Sequence, residues 1–342
     1  MDGGEKFLSG GMQMKRSLRR AAALPALALA VALALPVAAS AQDLVPVGRT
    51  VGIEAQTDGL LVASLSKVDT ANGEAVPAAD AGVMPGDIIV KLDSQEIKSV
   101  EDFTKALAEL DGSEIELTVL RDEKTLQLTL KPVQDVDGVW RLGVWLRSSV
   151  SGIGTVTYYD PATGEYGALG HSITDADTGV LLPISEGTIS EASVSDVVPG
   201  EKGKAGELHG SYDASKGIGT VDANTPHGIF GTSSSFDGNA LPVAEPDEIS
   251  DGPATILANV SGSEVEEYDV QISRADSGGD RLLVTVTDED LLKTTGGIVQ
   301  GMSGSPIIQN GKLVGAVTHV LVSDPTRGYG VTIGAMLEES AA

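Results

Sequence analysis

The pattern of apolar and polar residues changes several times along the chain. Residues 21–39 form an unbroken apolar run, and residues 50–132 alternate short apolar strands with turns and one amphipathic helix. From residue 152 onward short strands, turns and glycines follow one another, and only residues 335–340 have a helical pattern. Many short strands separated by turn residues are typical of an all-β barrel or sandwich. The pattern therefore predicts a mainly β chain, with a small α+β module ahead of an all-β domain.

The α+β module contains one clear helix signal. Ser99 is a favourable N-cap residue, and Asp102 occupies the third helical position, where its carboxylate can complete a capping box. Phe103, Leu107 and Leu110 then fall on one face of the helix. The strands predicted around this helix are residues 59–64, 88–92, 115–120 and 125–130.

The apolar run near the N-terminus predicts an export signal. Four basic residues, at positions 15, 16, 19 and 20, precede it, and Ala39-Ser40-Ala41 follows as a small-x-small site. The run is 19 residues long, which is close to the lower limit for a membrane span. A cleaved signal peptide and a retained membrane anchor therefore both remain open. In either case we expect residues from about 42 onward to be exported.

Composition excludes several classes of chemistry. The chain has no cysteine, so thiol catalysis, disulfides and cysteine-based zinc sites are excluded. It has 49 acidic and 23 basic residues, a formal net charge of −26. Such a surface repels nucleic acid and anionic lipid headgroups, so we expect no nucleic-acid partner.

The sequence G-M-S-G-S-P at residues 301–306 is the strongest candidate for chemistry. Glycines on both sides of Ser303 allow a tight turn and leave no side chain between the hydroxyl and a substrate carbonyl. The amides of Gly301 and Ser303 can point into one pocket and stabilise a tetrahedral oxyanion. A glycine- and serine-rich hairpin loop without chemistry remains the alternative.

The residues after this motif predict a β-hairpin. An apolar pair at 307–308 is followed by Asn310-Gly311, a strong hairpin turn signal, and then by an apolar strand at 313–317. Ser303 is therefore expected on a loop that feeds a hairpin, and not on a strand-to-helix elbow.

Four histidines are present, and one fits the role of a base. His171 follows an apolar strand end and precedes a polar turn, so its ring can be partly exposed and partly desolvated, as a general base near neutral pH requires. His319 lies within an apolar strand and is interpreted as structural. His209 and His227 lie in polar segments and are interpreted as surface residues. Their spacing predicts no metal site.

A serine hydrolase also needs a group that orients the imidazole. Spacing alone does not select one among the acidic residues available. The candidates that follow from the positions of His171 and Ser303 are Asp175, Asp213, Asp222, Asp237 and Asp288.

Residues 50–132 resemble a PDZ domain of the bacterial protease type. The resemblance is carried by A-G-V-M-P-G-D-I-I-V-K-L-D at 81–93 and V-E-D-F at 100–103. It implies a groove between a strand and a helix that captures an extended peptide or a segment of the same chain. A loop at residues 52–59 is expected near the mouth of this groove. A purely scaffolding role is the alternative.

A second resemblance covers nearly everything after the leader. The stretches 168–175 (A-L-G-H-S-I-T-D), 295–320 and 324–331 resemble the stage IV sporulation protein B family of secreted serine peptidases. The resemblance implies a chymotrypsin-like double-barrel domain with His171, Asp288 and Ser303 as catalytic residues and no cofactor.

These observations predict a domain order and a function. The expected segments are a leader at 1–41, a PDZ domain at 50–132, a connector at 133–149 and a serine peptidase domain at 150–342. The connector holds Trp140 and Trp145, the only tryptophans of the chain, and is expected to pack at the domain junction.

The family resemblance implies self-cleavage near the N-terminus, followed by cleavage of a membrane-anchored regulator of an intramembrane protease that activates a sigma factor. It also implies a location in the space between the forespore membranes. The alternative is an exported PDZ adaptor without activity.

Overall fold

The computed structural model describes residues 42–340 except 123, 235 and 276–278. The expected leader lies outside the described residues. In the described part of the chain, no helix is both long enough and apolar enough to cross a membrane. The strands and helices in chain order are β1 Asp43–Pro46, β2 Thr50–Leu65, β3 Val68–Thr70, β4 Gly73–Ala75, α1 Pro77–Asp80, β5 Ile88–Leu92, β6 Gln95–Glu96, α2 Val100–Ala108, β7 Ile115–Arg121, β8 Lys124–Leu130, β9 Val133–Gln134, β10 Trp140–Arg141, β11 Val144–Tyr159, β12 Glu165–Ala168, β13 Ile184–Val198, β14 Glu207–Val221, β15 Ala223–Thr225, β16 Gly228–Thr232, β17 Leu241–Pro242, β18 Gly252–Ser261, β19 Glu264–Arg274, β20 Arg281–Val286, α3 Glu289–Thr295, β21 Pro306–Gln309, β22 Lys312–Val320, β23 Arg327–Thr332 and α4 Ile333–Ser340.

The C-terminal half of the peptidase domain is a closed barrel. Six strands close in the order β18-β19-β20-β23-β22-β21, and all their pairs are antiparallel. Alternating residues of these strands fill the interior, among them the fully buried Ile256, Val284 and Ile307. The asparagine-glycine hairpin turn is confirmed, because Asn310 and Gly311 have φ values of 53° and 74° between β21 and β22.

The N-terminal half of the peptidase domain is an open half-barrel. Its strands belong to a 13-stranded sheet that also contains the PDZ strands, in the order β15-β16-β12-β11-β2-β5-β7-β8 along its main path. A core around Val51, Val156 and Tyr166 packs on this half-barrel. The mainly β fold with PDZ and chymotrypsin-like parts is confirmed, with the difference that only the second barrel closes.

The PDZ helix begins as the sequence predicts. The Ser99 hydroxyl accepts the Asp102 N–H at 3.1 Å, and the Asp102 carboxylate accepts the Ser99 N–H at 3.0 Å, which completes the capping box of α2. Phe103 is buried and Leu107 is partly buried against the PDZ core. The expected strands at 88–92, 115–120 and 125–130 are β5, β7 and β8.

Strand β2 differs from the expectation for a PDZ groove. Its 16 residues form one continuous strand, so the stretch 52–59 is not a loop at the mouth of a groove. Residues 51–56 pair with β13 on one edge and with β11 on the other, and so both of their edges are occupied. The strand leaves the PDZ part and continues into the half-barrel, because pairing there satisfies its backbone groups on both sides.

The expected connector is partly built into the PDZ domain. Leu142 is 2% exposed within the PDZ core, and the start of β11 pairs with β2 through Val144↔Leu65 and Trp145↔Ser64. The packing predicted for the two tryptophans holds only in part. Trp140 is half-buried over Gly112, whereas Trp145 is 65% exposed.

Candidate active site

The nucleophile loop lies between α3 and β21 and depends on two glycines. Gly301 and Gly304 both have a φ of 99°, a region that favours glycine. Between them Ser303 is half-buried. Its Oγ donates a hydrogen bond to the carbonyl of Thr318 at 2.6 Å. Thr318 sits where the pairing of β22 and β23 shifts register, between Val317 and His319.

The amides of this loop divide into two groups. The N–H groups of Met302, Gly304 and Ser305 donate to the carbonyls of Val299, Val317 and Met302, respectively. Among the described residues, the N–H groups of Gly301 and Ser303 have no acceptor. These are the two amides that the sequence predicts as the oxyanion hole, and they are free to donate to a substrate oxygen.

His171 follows a turn in which the chain twice adopts a left-handed conformation. Leu169 and Gly170 both have a φ of 68° after the end of β12. The half-buried ring of His171 lies with its Nδ1 2.8 Å from the carbonyl oxygen of Ser172. Because a carbonyl oxygen only accepts, Nδ1 carries the proton in this contact. The lone pair is then on Nε2, as a general base requires.

Ser303 and His171 line the same cleft. Its volume is about 660 Å³, and Gly301 and Thr318 also contribute to its wall. The Ser303 hydroxyl is bonded to Thr318 and not to His171 in this structure. The Ser303 hydroxyl must therefore leave this carbonyl before it can give its proton to Nε2 of His171. The described lining of the cleft includes no Asp, Glu, Lys or Arg side chain.

His319 is not the core histidine that the sequence suggests. It is exposed at the cleft, and its ring centroid lies 4.7 Å from that of His171, with the two planes at 37°. The register shift after Val317 is what turns this position toward the cleft. Such a local irregularity leaves no signal in the apolar pattern of the strand. His209 is exposed, as expected, whereas His227 is half-buried and lies 3.3 Å from Glu339.

The environment lowers the pKa of both imidazoles at the cleft. Burial lowers the pKa of His171, and the hydrogen bond to Ser172 opposes this effect. Partial burial lowers the pKa of His319 as well, and the charges of His171 and Arg281 add to the shift. His171 is therefore neutral near pH 7 and available as a proton acceptor.

The structure places Asp288 away from His171. Its carboxylate caps α3 by accepting the N–H groups of Asp290 at 3.0 Å and Leu291 at 2.9 Å. Arg281, at the start of β20, lines a cavity together with His171, but Asp288 follows the other end of that strand. At roughly 3.3 Å per residue the strand spans about 17 Å. The expected contact between Asp288 and the imidazole is therefore not present in this geometry.

The remaining acidic candidates also have other partners. Asp175 is buried and binds Arg147 and Thr178, Asp213 binds Ser215 and Lys216, and Asp222 accepts from Thr220. Asp237 is exposed. None of these contacts involves His171.

Asn224 is a residue that the sequence analysis does not single out. Its side chain makes three hydrogen bonds of 2.8 Å to the loop that follows His171. Asparagine is common in turns, so its position in A-N-T-P-H-G carried no signal by itself.

The described residues contain no group of three or more His, Asp or Glu side chains placed to hold a metal ion. The uncharged cleft is thus lined by the Ser303 hydroxyl and the His171 imidazole, beside two amides that have no acceptor among the described residues. This fold and this site define a chymotrypsin-like serine peptidase domain joined to a PDZ domain.

Comparison with known proteins agrees with this class. The chain belongs to the SpoIVB peptidase S55 family, whose model matches residues 138–337. A PDZ domain model matches residues 51–131.

Similarity to individual proteins is local. The metalloprotease MmpA of Caulobacter vibrioides is 41% identical over 69 residues, which are 19% of this chain and 17% of that protein. The curated relatives are thus matched over about a fifth of their length. The Rv3671c protease from M. tuberculosis in its active form is 18% identical, covers 56% of this chain and 75% of its own, and has a TM-score of 0.33. The PDZ domain of an SdrC-like protein from Listeria monocytogenes is 25% identical, covers 26% of this chain and 87% of its own, and has a TM-score of 0.21.

Proposed function

We propose that this chain is a serine endopeptidase that acts outside the cytoplasm on protein segments, its own N-terminal region included. The observation that carries the proposal is that Ser303 and His171 line one cleft, beside the two amides of the nucleophile loop that have no acceptor among the described residues. Membership of the SpoIVB peptidase S55 family supports the same function.

The mechanism follows from the positions of these groups. The Ser303 hydroxyl leaves the Thr318 carbonyl, transfers its proton to Nε2 of His171 and attacks the scissile carbonyl. The resulting oxyanion accepts hydrogen bonds from the amides of Gly301 and Ser303, and loss of one such donor typically costs about 3–4 kcal/mol in the barrier. His171 then gives its proton to the leaving amine. Water, activated by the same imidazole, releases the acyl group.

The substrate binds as an extended strand. His319 and Val320 pair with Tyr329 and Gly328 of β23 along one edge of β22. Thr318, His319 and Val320 also line the cleft. Backbone groups on the cleft side of these residues can pair with a peptide, because β22 pairs with β21 only as far as Ala316. The uncharged cleft favours apolar side chains next to the cleaved bond.

The PDZ part offers a second place for an extended segment. A cavity of about 480 Å³ lies between α2 and the start of β11 and is lined by Phe103, Leu107 and Val144. Among the described residues, the outer edge of Val144–Arg147 has no strand partner, since this stretch pairs only with β2. A peptide or a segment of the same chain would bind at this edge, in place of the groove expected near 52–59.

The physiological role proposed from the family is in sporulation. After export the enzyme would process itself and then cleave a membrane-anchored regulator of an intramembrane protease, which in turn activates a sigma factor. The location would be the space between the forespore membranes. The basic and apolar leader and the family match support this role.

An exported PDZ adaptor without activity is the second candidate. One observation favours it: the Ser303 hydroxyl donates to a main-chain carbonyl, and among the described residues it makes no hydrogen bond to an imidazole.

Two readouts distinguish the candidates in the purified full chain. A fluorophosphonate probe should label the wild type and His209→Ala, a variant at an exposed histidine, but not Ser303→Ala or His171→Ala. Mass spectrometry after incubation should show shortened chains only where the probe reacts. Equal labelling of wild type and Ser303→Ala, or no labelling at all, would support the adaptor.

A further inference from the structure

We propose that Arg281 forms a subsite for an acidic side chain of the substrate, a few residues from the cleaved bond. The inference rests on the proposed function and deepens it by naming the substrate class: protein segments that carry an aspartate or a glutamate close to an apolar cleavage position. Its basis is a second cavity, which adjoins the cleft and contains this arginine.

The second cavity is continuous with the cleft. It has a volume of about 460 Å³ and shares His171, Pro226, Thr318 and His319 with the cleft that Ser303 lines. Successive residues of an extended peptide are about 3.3 Å apart, so a residue two to four positions from the cleaved bond lies roughly 7–13 Å from it. A peptide in the cleft can therefore place such a side chain in the second cavity.

The strand register explains why an arginine faces this cavity. His319 of β22 is paired with Tyr329 of β23, and Val331, two positions further along β23, is paired with Arg281 of β20. Residues at i and i+2 of a strand lie on the same face of a sheet, and so do directly paired residues. The first, second and last of these residues therefore share the outer face of the barrel, whereas Leu282 lies on the inner face within the core.

The guanidinium group of Arg281 is held in place but not neutralised. Its Cζ lies 5.5 Å from the centroid of the Tyr329 ring, a cation–π contact. In the described part of the chain it makes no ion pair, whereas Arg121, Arg141 and Arg147 each bind an aspartate. An aromatic ring leaves the positive charge uncompensated. The planar group can thus still bind a carboxylate through two parallel N–H donors.

Two other ionisable groups at this cavity have partners of their own. Asp280 also lines it, and its Oδ1 accepts the hydroxyl of Thr332 at 3.0 Å. His227 lies with its Nδ1 3.3 Å from the carboxylate of Glu339. Neither contact involves the guanidinium of Arg281.

The imidazoles between the two spaces add no positive charge near pH 7. Burial lowers the pKa of His171, and burial and the nearby charges of His171 and Arg281 lower the pKa of His319. Arg281 is therefore the permanent cation of the second cavity, next to a cleft whose described lining carries no charged side chain. A carboxylate in this cavity would gain charge-assisted hydrogen bonds, whereas a lysine would meet a like charge.

The test compares the full chain with two variants at position 281. Internally quenched peptides would carry leucine at the cleaved bond and either glutamate, glutamine or lysine at one position within about four residues of it. At one of these positions we expect the wild type to cleave the glutamate peptide with a kcat/KM about tenfold above that of the glutamine peptide. Arg281→Gln should abolish this preference, and Arg281→Glu should reverse it in favour of lysine. A role limited to packing on Tyr329 would not produce the reversal.

Arg327→Gln is the matched control. Arg327 is exposed at the other end of the pairing between β20 and β23, opposite Thr285, and is not among the described residues that line either space. This variant removes the same charge from the same pair of strands. It should keep the wild-type ratio of glutamate to glutamine cleavage.

Peptide binding to Ser303→Ala decides the question without turnover. Calorimetric titration should give the glutamate peptide a Kd about tenfold below that of the glutamine peptide, and the added change Arg281→Gln should remove the difference. Equal affinities for the two peptides, or the same acidic preference in Arg281→Gln and the wild type, would overturn the proposal. A wild type that cleaves no peptide, together with a retained difference in binding, would refute the proposed peptidase function and support the subsite.

Discussion

The backbone N–H of Thr155 donates to the carbonyl of Ser303 at 3.0 Å, across 148 positions of sequence that separate a half-barrel strand from the nucleophile loop. The same residue donates through Oγ1 to the carbonyl of Gly301 at 2.8 Å, and its own carbonyl accepts the N–H of Leu169 at 3.1 Å. Thr155 thereby connects the nucleophile loop, through hydrogen bonds, to the turn that precedes His171. The two barrels meet at this residue, which is 1% exposed.

Replacement of Thr155 by valine should impair catalysis more than folding. The substitution keeps the shape but leaves the carbonyl of the half-buried Gly301 without its hydrogen-bond donor, at a cost of about 1–3 kcal/mol in the free energy of unfolding. Because that carbonyl belongs to the nucleophile loop, we expect the acylation rate of Ser303 to fall about tenfold, which corresponds to about 1.4 kcal/mol in the barrier. Urea unfolding and fluorophosphonate labelling would measure the two effects.

Thr157→Val is the control for that experiment. Thr157 lies two positions further along β11 and is fully buried, and its hydroxyl has no partner among the described residues. Removal of an unpartnered polar group should be neutral or stabilising. If both valine variants lost the same activity, the contact between Thr155 and Gly301 would not be the cause.

Gly304→Ala should disrupt the nucleophile loop. A Cβ at this position would lie 1.9 Å from the carbonyl oxygen of Thr155, and the φ of 99° disfavours a side chain in any case. Gly311→Ala is the matched variant, because it has a φ of 74° and no atom within 4 Å of the added Cβ. Backbone strain alone costs about 1–2 kcal/mol. We expect Gly304→Ala to lose several kcal/mol, from clash and strain together, and Gly311→Ala to lose only the strain. Equal midpoints in urea would contradict the clash.

The rate of acylation of Ser303 should begin to fall, as the pH is lowered, only below pH 6.5. Burial lowers the pKa of His171 below its ordinary value of 6.5. Because the base acts in its neutral form, activity rises as the pH increases through this lowered pKa and is then constant near neutrality. A carboxylate beside the ring would instead raise the pKa of His171. A labelling rate whose acidic limb lies above pH 6.5 would therefore argue for an acidic partner.

The cleft should select uncharged aliphatic side chains next to the cleaved bond. Ile298, Val299 and Val320 contribute to its lining, and the described lining has no Asp, Glu, Lys or Arg side chain. A charged side chain would be desolvated there without a partner. In a peptide library we expect leucine or valine to be preferred over arginine or aspartate by at least about a hundredfold, since an unpaired buried polar or charged group costs several kcal/mol.

Val320→Ala should widen this cleft. The ratio of cleavage after phenylalanine to cleavage after valine should then rise about tenfold, as expected from the 1–3 kcal/mol that a methylene contributes in an apolar pocket. Val322→Ala, at a more exposed position of the same cleft, should change the ratio less. Preferred cleavage after basic residues in the wild type would contradict this assignment.

Much of this protein could be predicted from local sequence. The capping box of Ser99 and Asp102, the turn at Asn310-Gly311 and the glycines around Ser303 each depend on residues within a few positions of one another. The position of Ser303 on a loop ahead of a hairpin and the placement of His171 after a strand end follow from the same short-range rules. Local signals of this kind are present in the sequence because the physics that produces them is local.

The contacts between distant segments were decided by the tertiary structure. Asp288 has the local context expected of the family acid, yet in the folded chain it follows β20 and its carboxylate caps α3. β2 opens into one long strand because β13 supplies a second set of backbone partners. His319 reaches the cleft through a register shift that the apolar pattern of its strand does not reveal.

The sequence by itself determined which residues can carry the chemistry, since a serine between two glycines and a partly exposed imidazole after a strand end are both set by residues that are close together in the sequence. Only the folded chain decided what holds them, because Thr155 and Asn224 make hydrogen bonds to backbone groups far along the chain. Almost any residue can offer such a backbone group, so it is the meeting of strands in space, and not a motif, that selects the partner.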